Sequence, residues 1–331
     1  MSAAAPASSA ASAGSAGSAA ARFLRRNAWV LGLWVLLGVM LIFTKIIQPN
    51  YGATAFATAG QTMAVIAGGI DLSIAAMMAL MSVTAATLMA GQSEEFAVLA
   101  VALVLLMGFG VGAINGLAVV LTRVPDIVVT LAFFFIWEGA ALLVLENPGG
   151  STAVWLRQLI SGTVGGALVP AEISAWLPKA LILLIVALGV VWISLRRSRL
   201  GLSLYAVGSD RLAAFRSGVP VDRTKVASYA LAGLFAAMGG MALTMNTGNA
   251  TPIQGPYLLA SVAAVVLGGV SLAGGKGGLV GPILAVFVLR LARQDLTFLS
   301  VDPNVSQVID GLIMVVVIII GGLVALRSKR T

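Results

Sequence analysis

Apolar residues in this chain come in long blocks rather than in the two-residue alternation of a half-buried strand. Ten such stretches are legible, at 29–47, 56–68, 72–90, 96–121, 127–145, 180–195, 226–245, 258–270, 279–291 and 308–326. The longer ones reach the ~20 residues that a helix needs to cross a bilayer core of about 30 Å, and the shorter ones are part-crossings. The pattern predicts an all-α, polytopic transmembrane helical bundle of about ten membrane segments, some of them broken or short. Residues 1–21, MSAAAPASSAASAGSAGSAAA, carry no apolar periodicity and read as a disordered cytoplasmic tail. Residues 22–331 form one transmembrane domain.

Two polar interruptions stand out. The first, 146–178, contains Gly149, Gly150, Gly162, Gly165, Gly166, Trp155 and Trp176, and Arg157 is the basic residue within it before Lys179. It suits an extracytoplasmic loop with short interfacial helices, either resting on headgroups or receiving a soluble partner. The second, 194–225, holds seven basic residues: Arg196, Arg197, Arg199, Arg211, Arg216, Arg223 and Lys225. That charge places it in the cytoplasm by the positive-inside rule. A short helix is expected from Asp210 through Ser217, capped by Ser209 and stopped by Gly218 and Pro220. A short capped helix in a cytoplasmic loop is a candidate docking knob.

The other charges test the count of ten. Arg22, Arg25 and Arg26 precede the first stretch, Arg123 follows the fourth, and Arg327, Lys329 and Arg330 follow the tenth. With the first cluster inside, every even-numbered stretch ends inside, so both termini are expected in the cytoplasm of a multi-pass membrane protein. A basic flank before an apolar run also describes a signal peptide, and Ala53-Thr54-Ala55 has the form of a cleavage site. The length of the run favours a retained span.

Composition narrows the chemistry. Hydrophobic residues make up 60% of the 331, charged residues 10%, and mean hydropathy is +1.04, which excludes an ordinary soluble domain. The net charge of +8 lies mostly at the ends of apolar runs, where it sets topology and meets lipid headgroups, so nucleic acid is not an expected partner. There is no Cys and no His. Thiolate nucleophiles, His-based triads and nearly all zinc sites are thereby excluded, and neither a catalytic residue nor a metal ligand set is expected.

Glycine pairs and carboxylates carry what remains. AVIAGGIDLS at 64–73 and AVVLGGVSLA at 264–273 resemble each other, each with a Gly pair closing a short apolar run: Gly68 and Gly69, Gly268 and Gly269. A Gly pair in a membrane helix permits a break whose freed backbone groups must be buried or face a water-filled path. Asp71 needs a partner in this apolar context, and capping the third stretch, with Ser73 sharing the role, is favoured over solute contact. Glu138, inside FFFIWEGAALLV, either lines a path or pairs with Arg290 or Arg293. GGVSLAGGKGG at 268–278 is not a Walker A loop, because Val270 stands where its first Gly belongs and Gly277 where Ser or Thr belongs.

Four stretches together resemble the inner-membrane permease subunits of bacterial ABC importers of the ribose type. They are GGIDLS at 68–73, VPDIVVTLAF at 124–133, RLGLSLYAVGSDRLAAFRSGVPVDRTK at 199–225 and AAVVLGGVSLAGGKGGLVGPILA at 263–285. The resemblance implies a translocation path enclosed with a second permease subunit, identical or homologous. It also implies two cytoplasmic ABC ATPase subunits that bind ATP and Mg, so that this chain binds no cofactor, and a periplasmic solute-binding protein. In that scheme the helix at 210–217 is the coupling helix to the ATPase, involving Ser209, Asp210, Ala213, Ala214, Phe215 and Gly218, with Ala213 and Ala214 packed in a groove on the partner. The path or helix breaks would involve Gly68, Gly69, Asp71, Ser73, Glu138, Gly268 and Gly269. This sequence departs from many relatives at Ala75 and Ala76 (Gly), at Glu138 (Arg) and at Leu258–Ala260 (an acidic pair), and these departures bear on the solute, expected to be a neutral pentose, hexose, polyol or similar polar solute. The alternative is a self-contained ion-coupled transporter in which Asp71 and Glu138 are the coupling carboxylates.

Overall fold

A computed structural model describes residues 30–38, 51–162, 178–253 and 255–328. The expected tail at 1–21, the Arg22–Arg26 cluster, the end of the first apolar stretch, part of the 146–178 loop and the terminal basic residues Lys329 and Arg330 lie outside them. After a helical segment at 30–38 come α1 (Tyr51–Ile66), α2 (Ile74–Met89), α3 (Phe96–Thr122), α4 (Asp126–Val144), α5 (Val154–Ile160) and α6 (Lys179–Arg196). They are followed by α7 (Arg199–Ser209), α8 (Arg211–Arg216), α9 (Val221–Thr247), α10 (Tyr257–Leu267), α11 (Val280–Phe298) and α12 (Pro303–Ser328). Among the described residues there is no strand, and Gly149 forms an isolated bridge with Ala250. Each of the ten apolar stretches falls on a helix, the first of them on the segment 30–38. Four helices, α3, α4, α6 and α9, are long and apolar enough to cross a membrane; α2 and α10 are shorter apolar helices.

The bundle is built around α9, which packs chiefly on α3, α1 and α2. Its contact with α3 is a seam of small residues. Gly108, Gly112 and Gly116 of α3 recur every fourth residue and face Tyr229, Gly233 and Ala237 of α9, which share that spacing. A Cβ at Gly112 would overlap the Tyr229 carbonyl oxygen, and one at Gly233 the Gly108 carbonyl oxygen. Membrane helices lack a hydrophobic drive to associate, so such backbone contact is what holds them. Beyond the seam, the Ser82 and Thr244 hydroxyls join α2 to α9 at 2.8 Å. α2 is buried along nearly its whole length, whereas α4 leaves Ile127, Val128, Leu131, Phe135, Ile136 and Leu143 exposed.

The described part of the 146–178 loop is pinned rather than loose. Gly149 and Ala250 exchange two backbone hydrogen bonds at 3.0 and 2.9 Å, and the Ser151 amide donates to the Ala86 carbonyl. Within this loop lies the short helix α5. Its free first amides, at Val154 and Trp155, donate to the Glu94 carboxylate, and the Trp155 indole donates to the Glu94 carbonyl.

Candidate functional site

Both glycine pairs end a helix by the same hydrogen-bond pattern. At the end of α1 the Gly68 amide donates to the Val65 carbonyl and the Gly69 amide to the Ala64 carbonyl, with Gly68 left-handed at φ +72. At the end of α10 the Gly269 amide donates to Val266 and the Val270 amide to Val265, with Gly269 left-handed at φ +80. These are Schellman closures, which satisfy the last carbonyls of a helix and favour glycine at the left-handed position. The closures are offset by one residue from the sequence alignment of the two stretches: the left-handed glycine is the first of the pair in one and the second in the other.

The first turn, 67–73, is stitched by side chains. Asp71 is fully buried, and its Oδ1 accepts from the Ser73 amide at 2.9 Å and from the Ser73 hydroxyl at 2.6 Å. This local turn leads the chain into α2. From Ser73 a directed chain of hydrogen bonds crosses the bundle: Asn115 Nδ2 of α3 donates to Ser73 Oγ at 2.7 Å, and Trp137 Nε1 of α4 donates to Asn115 Oδ1 at 2.9 Å. Thr130 Oγ1 accepts from the Leu72 amide, and the Gln61 amide, suitably oriented, pairs with the backbone of Asp71. Asp71 Oδ2 and Thr58 Oγ1 are buried with no partner among the described residues.

An ion pair closes the outside of this turn. Lys225 Nζ of α9 lies 2.6 Å from Asp126 Oδ2 of α4, donates to the Ala67 carbonyl at 3.3 Å, and the Tyr229 hydroxyl donates to the same Asp126 oxygen at 2.7 Å. Both ionic side chains are largely buried. Gly69 leaves room for this triad: a Cβ there would meet Asp126 Oδ2, the Tyr229 hydroxyl and Lys225 Nζ. The charges were visible in the sequence as the acid opening the fifth apolar stretch and the base just ahead of the seventh. Their meeting was not, since 98 or so residues of intervening chain say nothing about which helix ends adjoin.

The second turn, 268–279, is stitched by backbone. Gly268 packs on the Gly281–Pro282 peptide, and Gly274, Gly275 and Gly277 are all left-handed. The Gly275 amide donates to the Ile66 carbonyl at 3.0 Å, so the second turn is hydrogen-bonded to the end of α1 beside the first. Gly208, near the end of α7, sits between them. A Cβ on Gly208 would overlap the Ile66 carbonyl oxygen and approach the Gly275 nitrogen, and Gly68 and Gly274 both lie against the Gly208 backbone. Tyr205, one turn earlier on α7, donates to the Gly277 carbonyl at 2.8 Å; burial raises its phenol pKa, against a smaller opposing effect of Arg196, so it remains a protonated donor.

The 194–225 region therefore contains two helices where the sequence suggested one. α7 runs through Ser209, so Ser209 is helical and cannot cap. The cap is Asp210, extended at φ −158 and ψ 108, whose Oδ1 accepts from the Ala213 amide at 2.9 Å. The stop at Gly218 is as expected: its φ is +79, its amide donates to Phe215, the Val219 amide donates to Ala214, and Pro220 follows. On α8, Ala214 is buried in a small cluster with Val207 and Val221 of its own chain, while Leu212, Ala213 and Phe215 are exposed. Ala214 is thus not free to enter a partner's groove; Leu212 and Phe215 carry the exposed apolar surface.

Glu138 also departs from one of its two expected roles. It lies half-buried on α4, and neither Arg290 nor Arg293 pairs with it: Arg290 donates to Thr54 Oγ1 and Arg293 is bound to Asp310.

Residues 49–318 match the family described as branched-chain amino acid transport system / permease component. The chain is 31% identical over 310 residues to the ribose import permease protein RbsC of Bacillus subtilis (strain 168), covering 88% of this chain and 92% of that protein. It is 27% identical over 297 residues to RbsC of Escherichia coli (strain K12), covering 85% and 90%. It is 29% identical over 323 residues to the autoinducer 2 import system permease protein LsrD of Escherichia coli (strain K12), covering 92% and 95%. No solved structure matches. A transport permease component is not an enzyme class, and its apolar helices are those of a multi-pass inner-membrane protein. With a family match over most of its length, the chain belongs to the branched-chain amino acid transport system permease component family, as the permease subunit of an ABC importer.

Proposed function

We propose that this chain, with a second permease subunit of the same or a homologous kind, encloses the translocation path for a sugar or similar polar solute delivered by a periplasmic binding protein. Two ABC ATPase subunits on the cytoplasmic side bind ATP and Mg and drive it. Both termini and the loop carrying α7 and α8 face the cytoplasm, in keeping with their basic residues. Glu138, half-buried on α4, is assigned to the path, because a carboxylate in a membrane segment needs water or a partner rather than lipid.

The single observation that carries this reading is the placement of α8. It exposes Leu212 and Phe215 to a partner, and it is capped by Asp210, two residues after the glycine wedged between both turns. A displacement of α8 by the ATPases is delivered through Gly208 to the ends of α1 and α10 together, which is a two-state element that ATP binding can bias.

The test is solute uptake into proteoliposomes holding this chain with and without its ATPase, with internal ATP and external binding protein. Uptake is expected to require the ATPase and to fall at least about tenfold in Phe215→Arg, a change on an exposed side chain that leaves the thermal midpoint unchanged. Accumulation by the chain alone under an imposed ion gradient would overturn the reading.

A further inference from the structure

At the end of the bundle opposite α8, a cavity of about 130 Å³ opens between α1, α10, α11 and α12. Thr54 lies 12 residues before Ile66 on α1, about 18 Å from the glycine junction at 1.5 Å per residue. The walls are mainly apolar, from Pro256, Ala260, Val286, Leu289 and Ile313, with a polar group made of Thr54, Tyr257, Arg290, Arg293 and Asp310.

The two arginines differ in how their charge is met. Arg293 is neutralised by Asp310. Arg290 is held by neutral groups: its Nε, at 3.1 Å, and its Nη2 both donate to the Thr54 hydroxyl oxygen, and its guanidinium carbon lies 5.6 Å from the centroid of the Tyr257 ring. A hydroxyl and a ring face orient a guanidinium without cancelling its charge. Three ionic groups line the cavity, two positive and one negative, so it carries a net charge of +1. In a half-buried setting of low dielectric, that charge attracts an anion more strongly than it would in water.

We propose that this cavity is a solute subsite that takes the carboxylate end of a small hydroxylated acid, such as a sugar acid. Thr54 occupies the Nε–Nη2 edge, so Arg290 offers the Nη1–Nη2 end of its planar guanidinium, whose outward N–H groups form a fork that suits a carboxylate. Tyr257 and Asp310 stand beside it as partners for solute hydroxyls. The volume is well below the about 300–1,000 Å³ of a site for a drug-sized ligand, and fits a station that grips one end of a solute in transit. An acidic solute departs from the neutral one expected from the sequence, and the proposal rests on the importer reading only for the idea that the occupant is cargo.

The chain has no cysteine, so Ala260→Cys places a single thiol in the cavity wall. The variant, assembled with its ATPase in phosphatidylcholine nanodiscs, is labelled with an anionic (ethylsulfonate) or a cationic (ethyltrimethylammonium) methanethiosulfonate reagent. The anionic reagent is expected to react at least about fivefold faster, after correction for a free thiol. Adding Arg290→Gln should bring the ratio to about one, and Arg290→Lys, which keeps the charge, should retain most of it. Sodium D-ribonate should slow the anionic reagent severalfold at a concentration where D-ribose does not.

Equal rates for the two reagents, a ratio indifferent to Arg290→Gln, a thiol that neither reagent reaches, or equal protection by ribonate and ribose would each overturn the proposal. So would protection that follows added phosphatidylglycerol rather than ribonate, which makes a lipid headgroup the occupant. Binding-protein-stimulated ATP hydrolysis, measured in the same nanodiscs, reports on the importer reading separately, because it does not depend on the charge of the cavity.

Discussion

The two glycine turns resemble each other in sequence and are held in different ways. Residues 67–73 are braced by side chains: Asp71 with Ser73, Asn115 and Trp137 on one side, and Asp126, Lys225 and Tyr229 on the other. Residues 268–279 are braced mostly by main chain, with Gly268 against Gly281 and Pro282, and Gly274 and Gly275 against Gly208 and Ser209, beside one side-chain bond from the Tyr205 hydroxyl to the Gly277 carbonyl. The one-residue offset between their Schellman closures explains part of this. Aligned on sequence, Asp71 faces Ser271; aligned on the left-handed glycine, it faces Leu272, and the second turn has no buried acid to satisfy. A resemblance of ten residues preserved how the helix stops and left open what the stop is tied to.

The largest expected effect separates the turns by their ions. Lys225→Met leaves Asp126 buried without its cation and should cost about 3 kcal/mol or more, with most of that recovered in Lys225→Met/Asp126→Leu. Thermal unfolding in detergent reads it, and full stability of the single variant would show that Asp126 finds another cation. Next comes the matched pair Gly268→Ala and Gly69→Ala. The new methyl at 268 meets the backbone of Gly281 and Pro282, whereas at 69 it meets the ends of Asp126, Lys225 and Tyr229, which can move. Gly268→Ala should therefore cost about 3 kcal/mol and Gly69→Ala about 1 kcal/mol, and the reverse order would undo the distinction drawn between the turns.

Smaller effects probe Asp71. Asp71→Ala removes the acceptor for two Ser73 donors and should cost about 2 kcal/mol, while Asp71→Asn keeps that acceptor and should cost less than about 1 kcal/mol. ATP-driven uptake should survive Asp71→Asn; its complete loss with an intact fold would favour ion coupling through this carboxylate. The smallest change belongs to the second turn, where Ser271→Ala removes only a 3.3 Å acceptor for the Ala273 amide at an exposed site and should stay within about 0.5 kcal/mol.

Much of the fold was legible because the bilayer leaves a chain few options. Blocks of apolar sequence had to be helices, and each of the ten lies on one. The stop at Gly218 was equally readable, since a left-handed glycine followed by Pro220 is a local signal. The cap was misplaced by one residue because Ser209 and Asp210 are both competent caps by composition. Only the length of α7, set by its packing against the second turn through Gly208 and Tyr205, decides between them. The surroundings of Ala214 are hidden for a related reason: a small residue suits either a partner's groove or the chain's own Val207 and Val221, and helix orientation sets it against the latter.

What the sequence determined by itself is therefore what is local or imposed by the membrane: helical class, approximate spans, the glycine closures and the absence of thiol and imidazole chemistry. The tertiary structure alone decided which ends meet. It paired Asp126 with Lys225, set Gly208 between two turns nearly 200 residues apart in numbering, and gave Arg293 an acid while leaving Arg290 to a hydroxyl and a ring. The physical reason is range. Helix formation and capping are settled within a few residues by backbone hydrogen bonds, whereas buried charges and close glycine contacts depend on the arrangement of whole helices, which no local pattern encodes.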